Sequence, residues 1–231
     1  MENASMRPSS LLLEMLLFFC AFFLPGYLTQ GASISGGPVS TLAMLQVIVA
    51  GVPQLLLMVF VVCVPRGESP ESFGLRGLGG KDCLWIAALL ILAFAIAAPL
   101  VGLASLLPPG WSRAFPLGDR WGLRDASQIP AALLFGLTAG YREEFFFRAY
   151  ALKRLGQIGI PLPAAVAAST ALFSAGHIYE GPAGFATAVV MGALFAVAYL
   201  RIRNLHVVAV AHGLYNAAAL ALSLVAARLP I

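Results

Sequence analysis

The chain has 231 residues, of which 60% are hydrophobic and only 10% charged. A soluble domain carries roughly 25% charged residues, so the polar residues here are too few to solvate a water-soluble surface. The formal charge of +4, from 14 Lys and Arg against 10 Asp and Glu, is too small and too scattered for a nucleic-acid partner.

Apolar segments recur from end to end, which indicates an integral membrane protein. Strand-like alternation is missing, so the sequence predicts an all-α fold, a polytopic transmembrane helical bundle rather than a β-barrel. Seven spans are predicted, at about 10–28, 40–64, 83–107, 127–155, 162–178, 182–201 and 205–228. Trp111 and Trp121 indicate an interfacial piece in the 108–126 loop, and a re-entrant helix there would make eight spans.

Lys and Arg residues in the loops set the orientation of a membrane protein. An N-terminus on the inside places seven cations in the cytoplasm: Arg66, Arg76, Lys81, Lys153, Arg154, Arg201 and Arg203. Four then lie outside: Arg113, Arg120, Arg124 and Arg228. The excess predicts a cytoplasmic N-terminus, although the loop holding three of the four argues the other way. The preference for Arg over Lys, with abundant Ala, Leu and Gly, suggests a bacterial source and hence the inner membrane.

Two kinds of residue in the apolar spans receive no functional role. Cys20, Cys63 and Cys83 lie in or beside the spans without a C-x-x-C pair, so we expect them to be buried small hydrophobes. Glu14 lies within the first span, at the interface or facing the bundle.

The stretch "YREEFFFRAY", residues 141–150, places four charges beside three phenylalanines. An ionisable group at mid-bilayer costs roughly 2.5–3.5 kcal/mol on insertion scales, so such groups are expected to pair or to line a wet cavity. Residues four apart share a helix face, so Glu144 can pair with Arg148 while Glu143 points elsewhere and stays free. Arg142 either stabilises the ionised pair or faces lipid headgroups.

Two later spans carry further polar groups at the same spacing. Phe173 and His177 share one helix face, and so do His212 and Asn216. Each pair has a structural interpretation, an interfacial histidine or an asparagine that bonds two helices. Their conjunction with a free glutamate predicts a common polar cavity. His206 begins the seventh span and is interpreted as an interfacial histidine outside the site.

These segments match three motifs in order, E-E-x-x-x-R, F-x-x-x-H and H-x-x-x-N, on Glu143, Glu144, Arg148, Phe173, His177, His212 and Asn216. The chain thereby resembles the CAAX-processing and bacteriocin-processing (CPBP, or Abi) family of intramembrane proteases. The resemblance covers about residues 127–220. It divides the chain into N-terminal transmembrane helices and loops at 1–126 and a catalytic transmembrane core at 127–231.

The resemblance implies a glutamate-dependent endopeptidase that needs no cofactor or metal and acts on a membrane-associated peptide or protein tail. Peptide hydrolysis requires a base for water and donors for the oxyanion. Glu143 is the expected general base, and Glu144, held by Arg148, is expected to orient its neighbours.

The remaining site residues have auxiliary roles in this hypothesis. His177 positions the water or assists proton transfer, and His212 and Asn216 donate to the oxyanion from one helix face. Ser174 stands three residues before His177, but no carboxylate is expected to orient that histidine, so a serine triad is not indicated.

Other functions stay open at this stage. Glutamate with two histidines is a legitimate zinc set, although the H-E-x-x-H spacing is absent. A scaffold, an immunity factor or a transporter also keeps charged residues in its bundle. Related eukaryotic enzymes trim prenylated tails, whereas in bacteria peptide maturation, immunity and regulated proteolysis all fit. The sequence does not specify the substrate or the oligomeric state.

Overall fold

The computed structural model describes residues 7–30, 39–106 and 122–226, which form helices joined by turns and contain no strand. The predicted all-α fold is confirmed. The described ranges contain nine α-helices: α1 Pro8–Phe22, α2 Leu24–Leu28, α3 Thr41–Cys63, α4 Gly80–Ser105, α5 Ile129–Glu144, α6 Ala151–Gln157, α7 Leu162–Ala175, α8 Gly181–Ile202 and α9 Leu205–Ala226. A π-helical segment, Phe145–Tyr150, joins α5 to α6, and 3-10 turns lie at Pro70–Phe73, Ala126–Gln128 and Ile178–Glu180.

Four helical stretches are long and apolar enough to cross a membrane: Thr41–Cys63, Gly80–Leu103, Ile178–Ile202 and Leu205–Val225. The chain is therefore an integral membrane protein, but the predicted count of seven or eight spans is not confirmed. Helices α1 and α7 have 15 and 14 residues. At about 1.5 Å per residue they reach roughly 21–23 Å, short of a hydrocarbon core about 30 Å thick.

Several predictions fall outside the described residues. The re-entrant piece expected within 108–126 belongs mostly to residues 107–121, which the described ranges omit together with Trp111, Trp121, Arg113 and Arg120. Arg228 also lies outside them.

The cysteines are less enclosed than expected. Cys20 and Cys83 are exposed and Cys63 is half-buried, so the expectation of buried thiols is wrong for the first two. The physical reason is the solvent: lipid tails are as apolar as a protein core, so an apolar side chain on a membrane helix gains little by turning inward.

Helices α5 and α9 pack with their backbones in contact. A Cβ built on Gly136 would collide with the carbonyl oxygen of Gly213, and one on Gly140 would lie 2.5 Å from the carbonyl oxygen of Ala209. Small residues at an interface are what allow two membrane helices to approach this closely. Helix α3 runs along the other side of α5, and α4 packs against α8 and α9.

Glu14 on α1 is buried in an ionic cluster at one end of the bundle. Its Oε1 accepts hydrogen bonds from the Tyr150 hydroxyl at 2.7 Å and from Arg154 Nε at 3.3 Å. Arg66 pairs with its other oxygen. The residue that the sequence left without a role thus fastens α1 to α6 and to the π segment.

Glu68 extends this cluster towards solvent. Arg154 Nη2 and Lys153 Nζ each lie 2.6 Å from one of its oxygens. Partial burial by itself raises the pKa of Glu68, but the hydrogen bonds from Arg154 and Lys153 outweigh it and hold that pKa below its ordinary value. The loop that follows α3 is therefore tied to α6.

Candidate active site

Glu144 is fully buried and is held by groups from two helices. Arg148, one turn later, places Nε 3.2 Å from Glu144 Oε2, and both side chains are 0% exposed. On the opposite oxygen, His212 Nδ1 from α9 lies 2.8 Å from Oε1. The contact between Glu144 and Arg148 is the one that their spacing predicts. The contact with His212 depends on the close packing of α5 on α9.

Arg148 is itself fixed by its surroundings. Its guanidinium lies 4.2 Å from the centre of the Phe173 ring, and Nη2 donates to the Gly192 carbonyl at 3.4 Å. Cation–π contacts are strongest where the cation is desolvated, as it is here. Arg148 therefore connects the E-E-x-x-x-R motif to α7 and α8.

The three phenylalanines of the motif occupy the π-helical segment, in which all six side chains are buried. Phe146 and Phe147 pack against Phe23 at ring-centre distances of 4.6 and 5.1 Å, and Phe147 packs against Phe173 at 5.5 Å. π-helical turns are rare and occur frequently at functional sites. The three phenylalanines thus provide apolar packing around the charged residues.

Glu143 differs from Glu144 in its exposure and in its hydrogen bonding. It makes no hydrogen bond with the described residues, and 16% of its side chain is exposed. Its ion-pair contacts are long, with His212 Nε2 3.8 Å from Oε2 and Arg142 Nη2 3.8 Å from Oε1. Glu144 is therefore buried and bonded to its partners, while Glu143 is partly exposed and can still accept hydrogen bonds.

Arg142 faces the bundle rather than the lipid headgroups. Its Nη1 donates to Gln54 of α3 at 3.1 Å, and its guanidinium lies 5.0 Å from the centre of the Phe23 ring. Of the two interpretations that the sequence left open, the structure agrees with the one that places this cation beside the carboxylates.

His177 follows the end of α7, and its ring lies 4.7 Å from that of Phe173. Its Nδ1 lies 2.7 Å from Glu180 Oε1. The expectation that no carboxylate orients this histidine is wrong, because the chain turns at Ile178–Glu180 and brings Glu180 back to the ring. Gly184 makes room for it, since a Cβ there would collide with the Glu180 side chain.

Phe173 lies between the two imidazoles, since its ring centre is also 5.9 Å from that of His212. Asn216, one turn beyond His212, is half-buried and forms no hydrogen bond with the described residues. The structure thus gathers the two glutamates and His212, links His177 to them through Phe173, and shows no hydrogen bond between Asn216 and these residues.

Residues near the N-terminus complete the site in a way that motif spacing does not indicate. Gln30 Nε2 donates to the Ala175 carbonyl at 2.9 Å, and its Oε1 accepts from the Tyr179 amide at 3.0 Å. The hydroxyl of Tyr27 donates to the Leu172 carbonyl at 2.6 Å. The end of α2 and the residues after it therefore hold the turn that carries His177.

Two polar residues near the site are engaged elsewhere. Ser174 Oγ donates to the Thr170 carbonyl at 2.7 Å, so it is not aligned on His177 as a nucleophile. His206 Nδ1 lies 2.9 Å from the Tyr141 hydroxyl. In the part of the chain that the structure describes, no three His, Cys, Asp or Glu side chains form a group suited to hold a metal ion.

Comparison with known proteins gave one match. The model of a family described as Rce1-like, type II CAAX prenyl endopeptidase, matches residues 125–218. This range begins just before α5 and includes all three motifs. No curated protein and no solved structure matches the chain.

Proposed function

Because the chain belongs, through residues 125–218, to the Rce1-like family of type II CAAX prenyl endopeptidases, we propose that it hydrolyses its substrate with Glu143 as general base. The family supports CAAX-type membrane endopeptidase activity in general.

One observation carries the mechanism: adjacent glutamates with opposite surroundings. A base must have a free lone pair within reach of water, and the partly exposed Glu143 has one. Glu144 is fully enclosed between Arg148 and His212, so it serves to orient these groups. Two carboxylates in environments this different are the usual basis for dividing chemical roles in a hydrolase.

The hydrolysis needs no group beyond these side chains and one water molecule. Glu143 takes a proton from water as the oxygen attacks the scissile carbonyl carbon, and the carbonyl oxygen becomes the oxyanion. The carbon–nitrogen bond then breaks, and Glu143 returns the proton to the leaving nitrogen. The products are a carboxylic acid and an amine, and Glu143 is again ionised.

His212 is the proposed oxyanion donor. With Nδ1 donating to Glu144, its Nε2 can also donate only if the ring is an imidazolium. Glu144 then balances the charge of the ring and fixes its orientation. Asn216, one turn along the same helix, would join His212 as a second donor once substrate is bound.

His177 is the proposed partner of the attacking water. Its hydrogen bond to Glu180 occupies Nδ1 and directs Nε2 away from that carboxylate. A carboxylate on one nitrogen of an imidazole fixes the ring orientation and the proton position in many hydrolases. Glu180 therefore enters the mechanism as a positioning residue for His177.

The proposed substrate is a membrane-associated peptide or the C-terminal tail of a membrane protein, with a prenylated tail as the form that the family description names. The proposed location is a bacterial inner membrane with the N-terminus in the cytoplasm. The cations around Glu14, Glu68 and Asp82 support that orientation, since cytoplasmic ends are rich in Lys and Arg.

The test compares Glu143→Gln with Glu71→Gln, an exposed glutamate in a turn, in reconstituted vesicles. The substrates are one membrane-anchored peptide with a prenylated cysteine and one without, and products are identified by mass spectrometry. We expect Glu143→Gln to lower cleavage by about 10²–10⁴-fold, the contribution of a general base, and Glu71→Gln to leave it unchanged.

Undiminished cleavage by the Glu143→Gln protein would remove the proposed base. Absence of cleavage by the unaltered protein on every membrane peptide tried would favour a non-proteolytic role. Stoichiometric zinc in the purified protein, together with loss of cleavage on chelation, would replace glutamate-activated water by a zinc mechanism.

A further inference from the structure

We propose that the cleft between the start of α4 and the end of α8 binds the phosphate of an anionic phospholipid headgroup. The cleft has a volume of about 450 Å³ and is open on one side. Three cations line it, Arg76, Lys81 and Arg201, and Trp85 completes its wall. The site is separate from the glutamates and histidines of the candidate active site.

The cations of the cleft are available to a ligand. Lys81 and Arg201 are exposed and form no hydrogen bond or ion pair with the described residues. Arg76 Nε and Nη2 donate to the carbonyls of Arg203 and Ile202, at 3.2 and 3.4 Å, and Nη1 has no hydrogen bond with the described residues. Three positive charges in one concave surface attract an anion.

The single carboxylate in the cleft is directed inward. Asp82 is buried and accepts hydrogen bonds from the Gly79 amide at 2.8 Å and from Asn204 Nδ2 at 3.1 Å. Its nearest cation is Arg76, at 3.6 Å. Asp82 thus organises the start of α4 and offsets one of the three positive charges, so the cleft keeps a net positive charge.

The depth of the cleft matches a headgroup. It lies where the membrane-crossing stretch Gly80–Leu103 begins and where Ile178–Ile202 ends, so it stands at the boundary between water and lipid. Trp85 is 51% exposed one turn below Lys81, and Leu84 and Ile91 continue the exposed apolar surface down α4. An exposed tryptophan is typical of the headgroup level. A phosphate in the cleft would therefore have its acyl chains against this face.

The placement of the three cations is more specific than the orientation of the protein in the membrane requires. The positive-inside tendency accounts for cations at this end, but it does not require them to line one cleft above an exposed tryptophan. Basic pockets between helices at the cytoplasmic side are known to bind anionic headgroups, and each nearby Lys or Arg contributes about fivefold to the attraction. A membrane lipid is also the anion present at highest concentration at this depth.

Binding is tested with the full chain in nanodiscs that contain phosphatidylglycerol and phosphatidylcholine. Trp111 and Trp121 are replaced by Phe so that Trp85 is the only tryptophan and can be excited selectively, and either lipid carries brominated acyl chains. We expect brominated phosphatidylglycerol to quench Trp85 more strongly than brominated phosphatidylcholine does at equal mole fraction. Lys81→Gln and Arg201→Gln should each weaken that preference about fivefold.

The matched control is Arg124→Gln, which removes one positive charge near the end of α9, far from the cleft beside its start, and should leave the preference intact. An equal loss in Arg124→Gln would overturn the proposal, because the quenching would then report overall charge. Abolition of the preference by millimolar glycerophosphate would assign the cleft to a soluble phosphate instead. Circular dichroism of each variant establishes that the helices are retained.

Discussion

Glu180 Oε1 lies 2.7 Å from Nδ1 of His177, so a carboxylate outside the three motifs holds one of the two site histidines. The contact depends on the turn after α7 and on the space left by Gly184. Glu180 lies outside the motifs, so a substitution there tests the proposed role of His177 without changing any motif residue.

Glu180→Gln should lower kcat/KM by about 10-fold to 100-fold, and Glu180→Ala by more, because the imidazole loses the group that fixes its orientation. The discriminating measurement is the pH dependence of kcat/KM, whose shape should change in Glu180→Gln while the thermal unfolding temperature stays close to that of the unaltered protein. A parallel fall in activity and stability with an unchanged pH profile would make Glu180 merely structural.

Arg148→Met should destabilise the protein by about 3–5 kcal/mol, because it breaks a fully buried ion pair and leaves His212 as the remaining partner of Glu144. The double variant Glu144→Gln/Arg148→Met should recover much of that stability, since the carboxylate and the guanidinium of the pair are removed together. Equilibrium unfolding in mixed micelles measures both. Additive effects of the two single changes would show that the pair is not coupled.

Gly140→Ala should disrupt the site by separating α5 from α9. Its new Cβ would lie 2.5 Å from the Ala209 carbonyl and 2.8 Å from the Gly213 amide, both backbone atoms that cannot turn aside. We expect a cost of about 1–3 kcal/mol and a marked loss of cleavage, because Glu144 and His212 sit on the separated helices.

The matched control for this substitution is Gly156→Ala in α6, where a Cβ meets nothing within 4 Å. It should be neutral or stabilising by up to about 1 kcal/mol, because alanine restricts the unfolded chain. Comparable losses of cleavage in the two variants would disprove a specific role for close helix packing.

Gln30→Ala should loosen the turn that carries His177, since it removes hydrogen bonds to Ala175 and Tyr179. Each bond contributes about 0.5–1.5 kcal/mol, so local opening should become about fivefold to 100-fold more frequent. Hydrogen exchange of the Tyr179 amide reports it directly. Thr29→Val is the control, because the Thr29 hydroxyl bonds only to carbonyls of its own helix. Equal exchange rates in both variants would contradict the role of Gln30.

The amino-acid sequence by itself determined what depends on local geometry. Apolar length and composition predicted helices close to those observed, and the i to i+4 rule paired Glu144 with Arg148. Glu143, predicted to be free, has longer ion-pair contacts of 3.8 Å to Arg142 and His212. The same rule predicted Phe173 beside His177, and the two rings do lie together, although α7 ends at Ala175 and His177 stands in the turn that follows. These predictions succeeded because a helix fixes the relative position of residues one turn apart, whatever surrounds it.

Only the tertiary structure decided which distant groups meet. His212 reaches Glu144 across 68 residues because glycines let α5 and α9 touch, and Gln30 reaches Ala175 across 145. Because lipid is itself apolar, an apolar side chain need not be buried in the protein, and the prediction that Cys20 and Cys83 are buried was therefore wrong. Spacing along a chain carries no information about contacts between helices that fold together from far apart, and in this protein those contacts determine the surroundings of each glutamate.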